Sequence, residues 1–171
     1  MKTAAFPYQD PTLPVAERVK DLLARMTVAE KIGQTNQVWL NLHNIAEIEQ
    51  QAKHGLVGSV LTNLDKTGRT TSVETLNALQ RAAVEGSRLG IPFIHGRDVI
   101  HGHRTVFPLP LALAASFDPA AMEEASAVAA REAASAGVHW TFTPMLDIAR
   151  DPRWGRCVEG SGEDPYLGAQ M

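Results

Sequence analysis

The residues from Arg150 to Leu167, RDPRWGRCVEGSGEDPYL, set Arg150, Arg153 and Arg156 among Asp151, Glu159, Glu163 and Asp164 in a stretch bent by glycine and proline around Trp154. A guanidinium is a permanent cation whose five N–H donors form a fixed fork, suited to carboxylates or to neighbouring hydroxyls. Arg150 and Arg153 fit equally well as internal ion-pair partners of the loop's own carboxylates, whereas Arg156, closing the Trp154-Gly155-Arg156 triplet, is the candidate that faces a ligand. A second cluster closes the stretch Ile91 to Pro108, IPFIHGRDVIHGHRTVFP, with Asp98, His101, His103 and Arg104. Asp98 falls where a strand ends, and its two oxygens can accept hydrogen bonds from adjacent hydroxyls of one ligand. An acidic acceptor after one strand and an arginine fork after the next make a pair for recognising a polyhydroxylated molecule. Trp154 could stack on a sugar face, but its Pro152 and Gly155 neighbours favour a plug at the rim of a site.

The His101-Gly102-His103 triplet raises a different chemistry, because metal-dependent hydrolases use H-x-H just after a strand, where alternate residues project to one side. Such a centre needs further ligands. His95 and His139 fall inside strands, and neither an H-x-x-x-H nor a paired carboxylate completes the set, so no metal is expected. His101 is expected instead to orient Asp98 or a backbone carbonyl.

These residues need a scaffold that brings strand ends together, and three glycines mark its rhythm: Gly55, Gly90 and Gly137 each follow a helical stretch and precede an apolar, partly β-branched one. Glycine takes the left-handed conformation past a helix end without steric cost. The spacing predicts strands in GSVLTNL, PFIHGRD and HWTFTPMLD, with a further one over Gln37 to Leu40. Helices are expected over Pro14 to Ala24, Val28 to Gln34, Ile45 to His54 and Ser72 to Leu89, and after Asp118, an N-cap followed by Pro119 at the first helical position. Strict strand and helix alternation implies right-handed crossovers and a parallel sheet. No G-x-G-x-x-G follows a strand and no phosphate-binding G-x-x-x-x-G-K-[ST] occurs, so the nucleotide-binding open sheets lose support against part of a (β/α)8 barrel.

Composition narrows the partners. With 44% hydrophobic and 20% charged residues the 171-residue chain has the makings of a globular core rather than of disorder. A net charge of −3 without a basic face argues against nucleic acid. Cys157 is the single cysteine, which rules out an internal disulfide. The start, MKTAAFPYQDPTLP, resembles neither a signal peptide nor an anchor and no window could span a membrane, so a cytoplasmic protein is expected, with a secreted form open if the amino terminus is incomplete.

Six ordered blocks then carry a resemblance: MTVAEKIGQ, HGLVGSVL, GRDVIHGHRTVFP, LAASFDP, PMLDIARDPRWGR and EGSGEDPYL. At these the chain is similar to the amino-terminal domain of glycoside hydrolase family 3, in its bacterial β-glucosidase branch. The resemblance implies an α/β fold, the amino-terminal half of a (β/α)8 TIM-type barrel with parallel strands, in which residues 1–26 are an extension with a first helix and residues 27–171 the first half of the barrel. It implies a retaining O-glycosyl hydrolase acting on terminal non-reducing β-D-glycosides, or a β-xylosidase or related exo-β-glycosidase, with no cofactor. Asp98 and Arg156 are implied to bind hydroxyls of the terminal sugar, Arg104 to lie close enough to help, and Glu159 and His101 to support them from behind. A retaining glycosidase needs two carboxyl groups about 5 Å apart. In the family both come from later in the barrel, so the resemblance puts no catalytic residue in this chain and implies a remaining half barrel and a carboxyl-terminal domain as partners. The competing expectation is a non-catalytic sugar-binding or assembly fragment.

Overall fold

The computed structural model describes residues 6–62 and 71–171. Four strands, β1 (Gln37–Trp39), β2 (Ser59–Leu61), β3 (Ile94–Arg97) and β4 (Trp140–Thr141), form one parallel sheet in the order β1-β2-β3-β4. The helices α1 (Val15–Arg25) and α2 (Val28–Gln34) precede β1. Between the strands run α3 (Ile45–Lys53), α4 (Val73–Gly86) and the pair α5 (Pro110–Ala114) and α6 (Pro119–Ser135), and α7 (Pro165–Gln170) follows β4. The alternation expected from the glycine rhythm is therefore present, and Gly55, Gly90 and Gly137 have φ of 70°, 64° and 78°, left-handed as a helix stop requires. The last part of the expected GSVLTNL strand, Asn63 and Leu64, lies outside the described residues.

The chain divides into two compact units. Met1–Val60 with Asn77–Phe93 form the first, in which helix ends are tied by side chains distant in sequence. Thr27 and Glu30 build a capping box at the start of α2, and the same Glu30 carboxylate accepts from Arg88 at 2.6 Å. The Gln80 amide reads both backbone groups of Phe93, donating to its oxygen at 2.9 Å and accepting from its nitrogen at 3.0 Å. Tyr8, although near the chain start, is buried and donates its hydroxyl proton to Leu89 O at 2.6 Å.

Leu61–Leu76 with Ile94–Met171 form the second unit. Helix α6 starts where Asp118 accepts from Ala121 N at 3.1 Å, and it turns the small residues Ala129 and Ala133 to the core, where they join Val99, Val138 and Phe107. Small side chains let the helix approach closely, so these apolar neighbours fill the gap. His95 on β3 is buried among three backbone segments: its Nδ1–H donates to Gly137 O at 2.9 Å, so Nε2 of the neutral ring accepts the Thr62 hydroxyl at 2.6 Å. Its backbone N–H donates to His139 Nδ1 at 3.2 Å.

One expectation about this sheet needs correction. HWTFTPMLD does not form a long strand: β4 pairs only through Gly96↔Trp140 and Arg97↔Thr141, because β3 stops at Arg97 and nothing continues the ladder beyond it, while Pro144 has no N–H to offer. Period-two alternation also sorts the apolar residues onto two faces. Val60 and Phe93 are 0% and 3% exposed, whereas Ile94 and Trp140 are 48% and 46% exposed.

Candidate functional site

Asp98 is the first residue after β3, and the loop carrying Arg156 follows β4, the neighbouring strand. Two consecutive strand ends therefore present an acceptor and a donor on the same edge, where parallel α/β sheets collect functional groups. The loop itself is held by local devices. Asp151 Oδ1 accepts from both Arg153 N at 2.9 Å and Arg153 Nε at 3.0 Å, so Arg153 is spent on shaping the turn. Asp164 caps α7 by accepting from Leu167 N at 2.7 Å. Trp154 is 37% exposed, and its backbone N–H donates to Asp151 O at 3.1 Å.

Arg156 is treated differently. Its Nε and Nη2 both donate to Glu159 Oε2, at 3.0 and 2.6 Å, one helical turn away on the 3-10 turn Cys157–Glu159, and Nη2 also reaches Met145 Sδ at 3.5 Å. Among the described residues no hydrogen bond engages its Nη1 amine. The Glu159 hydrogen bond and charge hold the guanidinium above its usual pKa, and the negative charges of Asp98 and Asp147 add to this. Glu159 is held below the usual carboxylate range by the same ion pair. The arrangement is an oriented cation, braced on one side by Glu159 and in the field of two further carboxylates. Asp147, in the loop six residues beyond β4, belongs to this electrostatic group; the sequence marks it as the start of the polar stretch behind an apolar run, without giving it a role at the site.

The two histidines of the H-x-H triplet serve separate ends. His101 Nδ1–H donates to Phe107 O at 3.0 Å while Phe107 N donates to His101 O at 2.7 Å. The His103 Nδ1 atom is buried without a hydrogen-bond partner among the described residues, and burial together with the charges of Arg97 and Arg104 keeps the ring below its usual pKa. No three His, Cys, Asp or Glu side chains are grouped as a metal set among the described residues. Arg104 has an exposed side chain, and its backbone N–H donates to Glu132 Oε2 on α6 at 2.8 Å. A cavity of about 700 Å³, walled by Val99, Phe107, Met122 and Ala129 among others, takes in Glu159 and Met145, but neither Asp98 nor Arg156 lines it. This cavity and the ion-paired cluster thus adjoin through Glu159 without coinciding.

No helix among the described residues is long and apolar enough to cross a membrane. The sequence pattern of the glycosyl hydrolase family 3 N terminal domain matches residues 27–171. A periplasmic beta-glucosidase of Salmonella typhimurium is 43% identical over 154 residues, which are 90% of this chain and 19% of that protein. A periplasmic beta-glucosidase/beta-xylosidase of Dickeya chrysanthemi is 31% identical over 96% of this chain and 28% of its own length. The crystal structure of beta-glucosidase from Listeria innocua in complex with glucose superposes with a TM-score of 0.76 at 40% identity, covering 90% of this chain and 22% of that one. The chain thus spans 19% to 28% of the length of these relatives, and its α/β fold is the amino-terminal half of their (β/α)8 barrel.

Proposed function

Since the chain belongs to glycosyl hydrolase family 3, we propose that it supplies the sugar-gripping half of the active site of a retaining exo-β-glycosidase, acting on terminal non-reducing β-D-glucosides. The observation that carries this reading is the Arg156 guanidinium, braced by Glu159, with the charges of Asp98 after β3 and of Asp147 in the loop after β4 adding to its field. Vicinal hydroxyls of a pyranose are donors and acceptors at once. Asp98 can accept hydrogen bonds from them and the Nη1 group of Arg156 can donate to their oxygens, so adjacent hydroxyls of one pyranose match the pair. Arg104 is assigned a supporting part at the edge of this subsite, and Glu159 and His101 hold its framework.

Cleavage needs a carboxylate nucleophile and a carboxylic acid about 5 Å apart. Both are assigned to parts of the enzyme beyond these 171 residues, as are the rest of the barrel and a carboxyl-terminal domain. The Dickeya relative, named for both activities, supports β-xyloside cleavage as the alternative. The names of the Salmonella and Dickeya relatives favour a periplasmic site of action over a cytoplasmic one, which fractionation of cells expressing the protein decides. Hydrolysis of a panel of aryl β-glycosides by the full-length gene product tests the activity: preferential turnover of the β-glucoside is expected, and preference for the β-xyloside would shift the assignment.

A further inference from the structure

The segment that leaves Asp98 does not run directly to the next helix. Residues 101–107 form a closed hairpin. Its neck is shut by the reciprocal hydrogen bonds between His101 and Phe107, at 2.7 and 3.0 Å, and by an antiparallel bridge between Gly102 and Val106. Gly102 has φ of 125°, and a Cβ there would collide with Thr105 O, so the fold of the hairpin is tight enough to exclude any side chain at that position. The tip carries two backbone N–H groups, of Arg104 and Thr105, pointing at one carboxylate.

That carboxylate is Glu132, in the last turns of α6. Its Oε2 accepts from Arg104 N and Thr105 N, both at 2.8 Å, and its Oε1 accepts from the Thr105 hydroxyl at 2.7 Å. The base of the same hairpin is docked on the same helix by apolar contact, through Val99 and Phe107 on Ala129 and Ala133. Val99 is the residue next to Asp98. The backbone of Asp98 is therefore fixed from two sides, by the β3–β4 ladder before it and by a hairpin after it that is fastened to α6 at both ends.

From this geometry we infer that Glu132 is a positioning residue for the sugar subsite: it clamps the hairpin that follows Asp98 to α6, and so sets where the Asp98 carboxylate and the Arg104 side chain stand. The inference rests on the glycosidase reading above. It asks for the shape of the acceptor rather than its charge. In Glu132→Gln the amide oxygen can take the two backbone N–H groups while the NH2 donates to the Thr105 hydroxyl, which preserves the clamp. In Glu132→Ala two N–H donors lose their partner and the hairpin is released.

The test is steady-state kinetics of the full-length gene product on an aryl β-glucoside, with inhibition by glucose, alongside thermal melting. Glu132→Ala is expected to raise both KM and the glucose inhibition constant by about tenfold at temperatures well below its melting point, with Glu132→Gln close to the wild type. Should Glu132→Ala fail to fold, Thr105→Val removes only the hydroxyl bond and is expected to shift the same two constants in the same direction by a smaller factor. Unchanged KM and glucose inhibition in Glu132→Ala, or in Thr105→Val where the first does not fold, would overturn the inference and leave the clamp a purely structural device. A Gln variant as impaired as Ala would also overturn it, by making charge decisive. A wild-type enzyme inactive on every β-glycoside would sink the glycosidase reading itself, an outcome separate from these.

Discussion

On the proposed reading, in which Asp98 accepts from sugar hydroxyls, Asp98→Ala removes an acceptor that the Arg156 fork, a donor only, cannot replace. In the full-length enzyme Asp98→Ala is expected to cut kcat/KM on the order of hundreds-fold. His101→Ala should cost less, since His101 spends its Nδ1–H on Phe107 O within the hairpin neck. A reversed order of the two, measured on one aryl β-glucoside, would remove Asp98 from the subsite. Residue types and strand-end positions made Asp98 and Arg156 legible in the sequence. Glu132 was not legible: it serves a hairpin 27 and 28 positions away, and nothing local distinguishes it from any other carboxylate on a solvated helix face. Asp147 fell between the two cases, visible by position but without a neighbouring partner in sequence.

Among the elements, helix α2 depends on a carboxylate that does three tasks. Glu30 caps Thr27 N, accepts from the Thr27 hydroxyl and pairs with Arg88, and chiefly the Arg88 hydrogen bond lowers its pKa from 4.5 to about 2. A depressed carboxyl pKa means that the folded state releases the proton more readily than the unfolded one. The stabilisation is present above pH 4.5 and is lost as pH falls from there towards about 2. Intrinsic amide exchange slows between about pH 5 and pH 3, so exchange at the start of α2 should slow less over that range than the intrinsic rate predicts, and Glu30→Gln should abolish the difference.

His95 gives the opposite ionisation and the same sign. Burial lowers its pKa below 6.5, helped by the charges of His139, Arg97 and His103 and opposed by the hydrogen bond to the Gly137 carbonyl, so the neutral form belongs to the fold. Its contribution is complete above pH 6.5, the unfolded value, and is lost as pH drops through that value towards the lower folded one. The melting temperature of the full-length protein should fall between about pH 7 and 5.5 by more than that of His95→Gln; parallel slopes for the two proteins would refute the assignment. Helix stops at Gly55, Gly90 and Gly137 and the cap at Asp118 were readable because each is a local device. The short β4 was not, since its length is set by where β3 ends rather than by its own apolar run.

At the scale of the molecule, the 171-residue chain on its own is expected to show no β-glycosidase turnover, because positioned carboxylates supply most of the rate and the pair is assigned elsewhere. Activity above a buffer control that survives repurification would mean that carboxylates such as Asp98 or Glu159 perform chemistry not assigned to them here. The isolated chain should also self-associate, since Ile94 and Trp140 stand nearly half exposed on one sheet face, with the Trp140 ring against Phe142 at 4.7 Å. Light scattering that reports a stable monomer would contradict this.

The sheet order β1-β2-β3-β4 has a further consequence for how the polypeptide is made. Each strand pairs with the one synthesised just before it, so no strand has to wait for a distant segment of nascent chain, and the closure entropy of every pairing is that of a single intervening connection. The strand order lets a ribosome lay the sheet down from one side, one crossover at a time, with each finished edge serving as the template for the next.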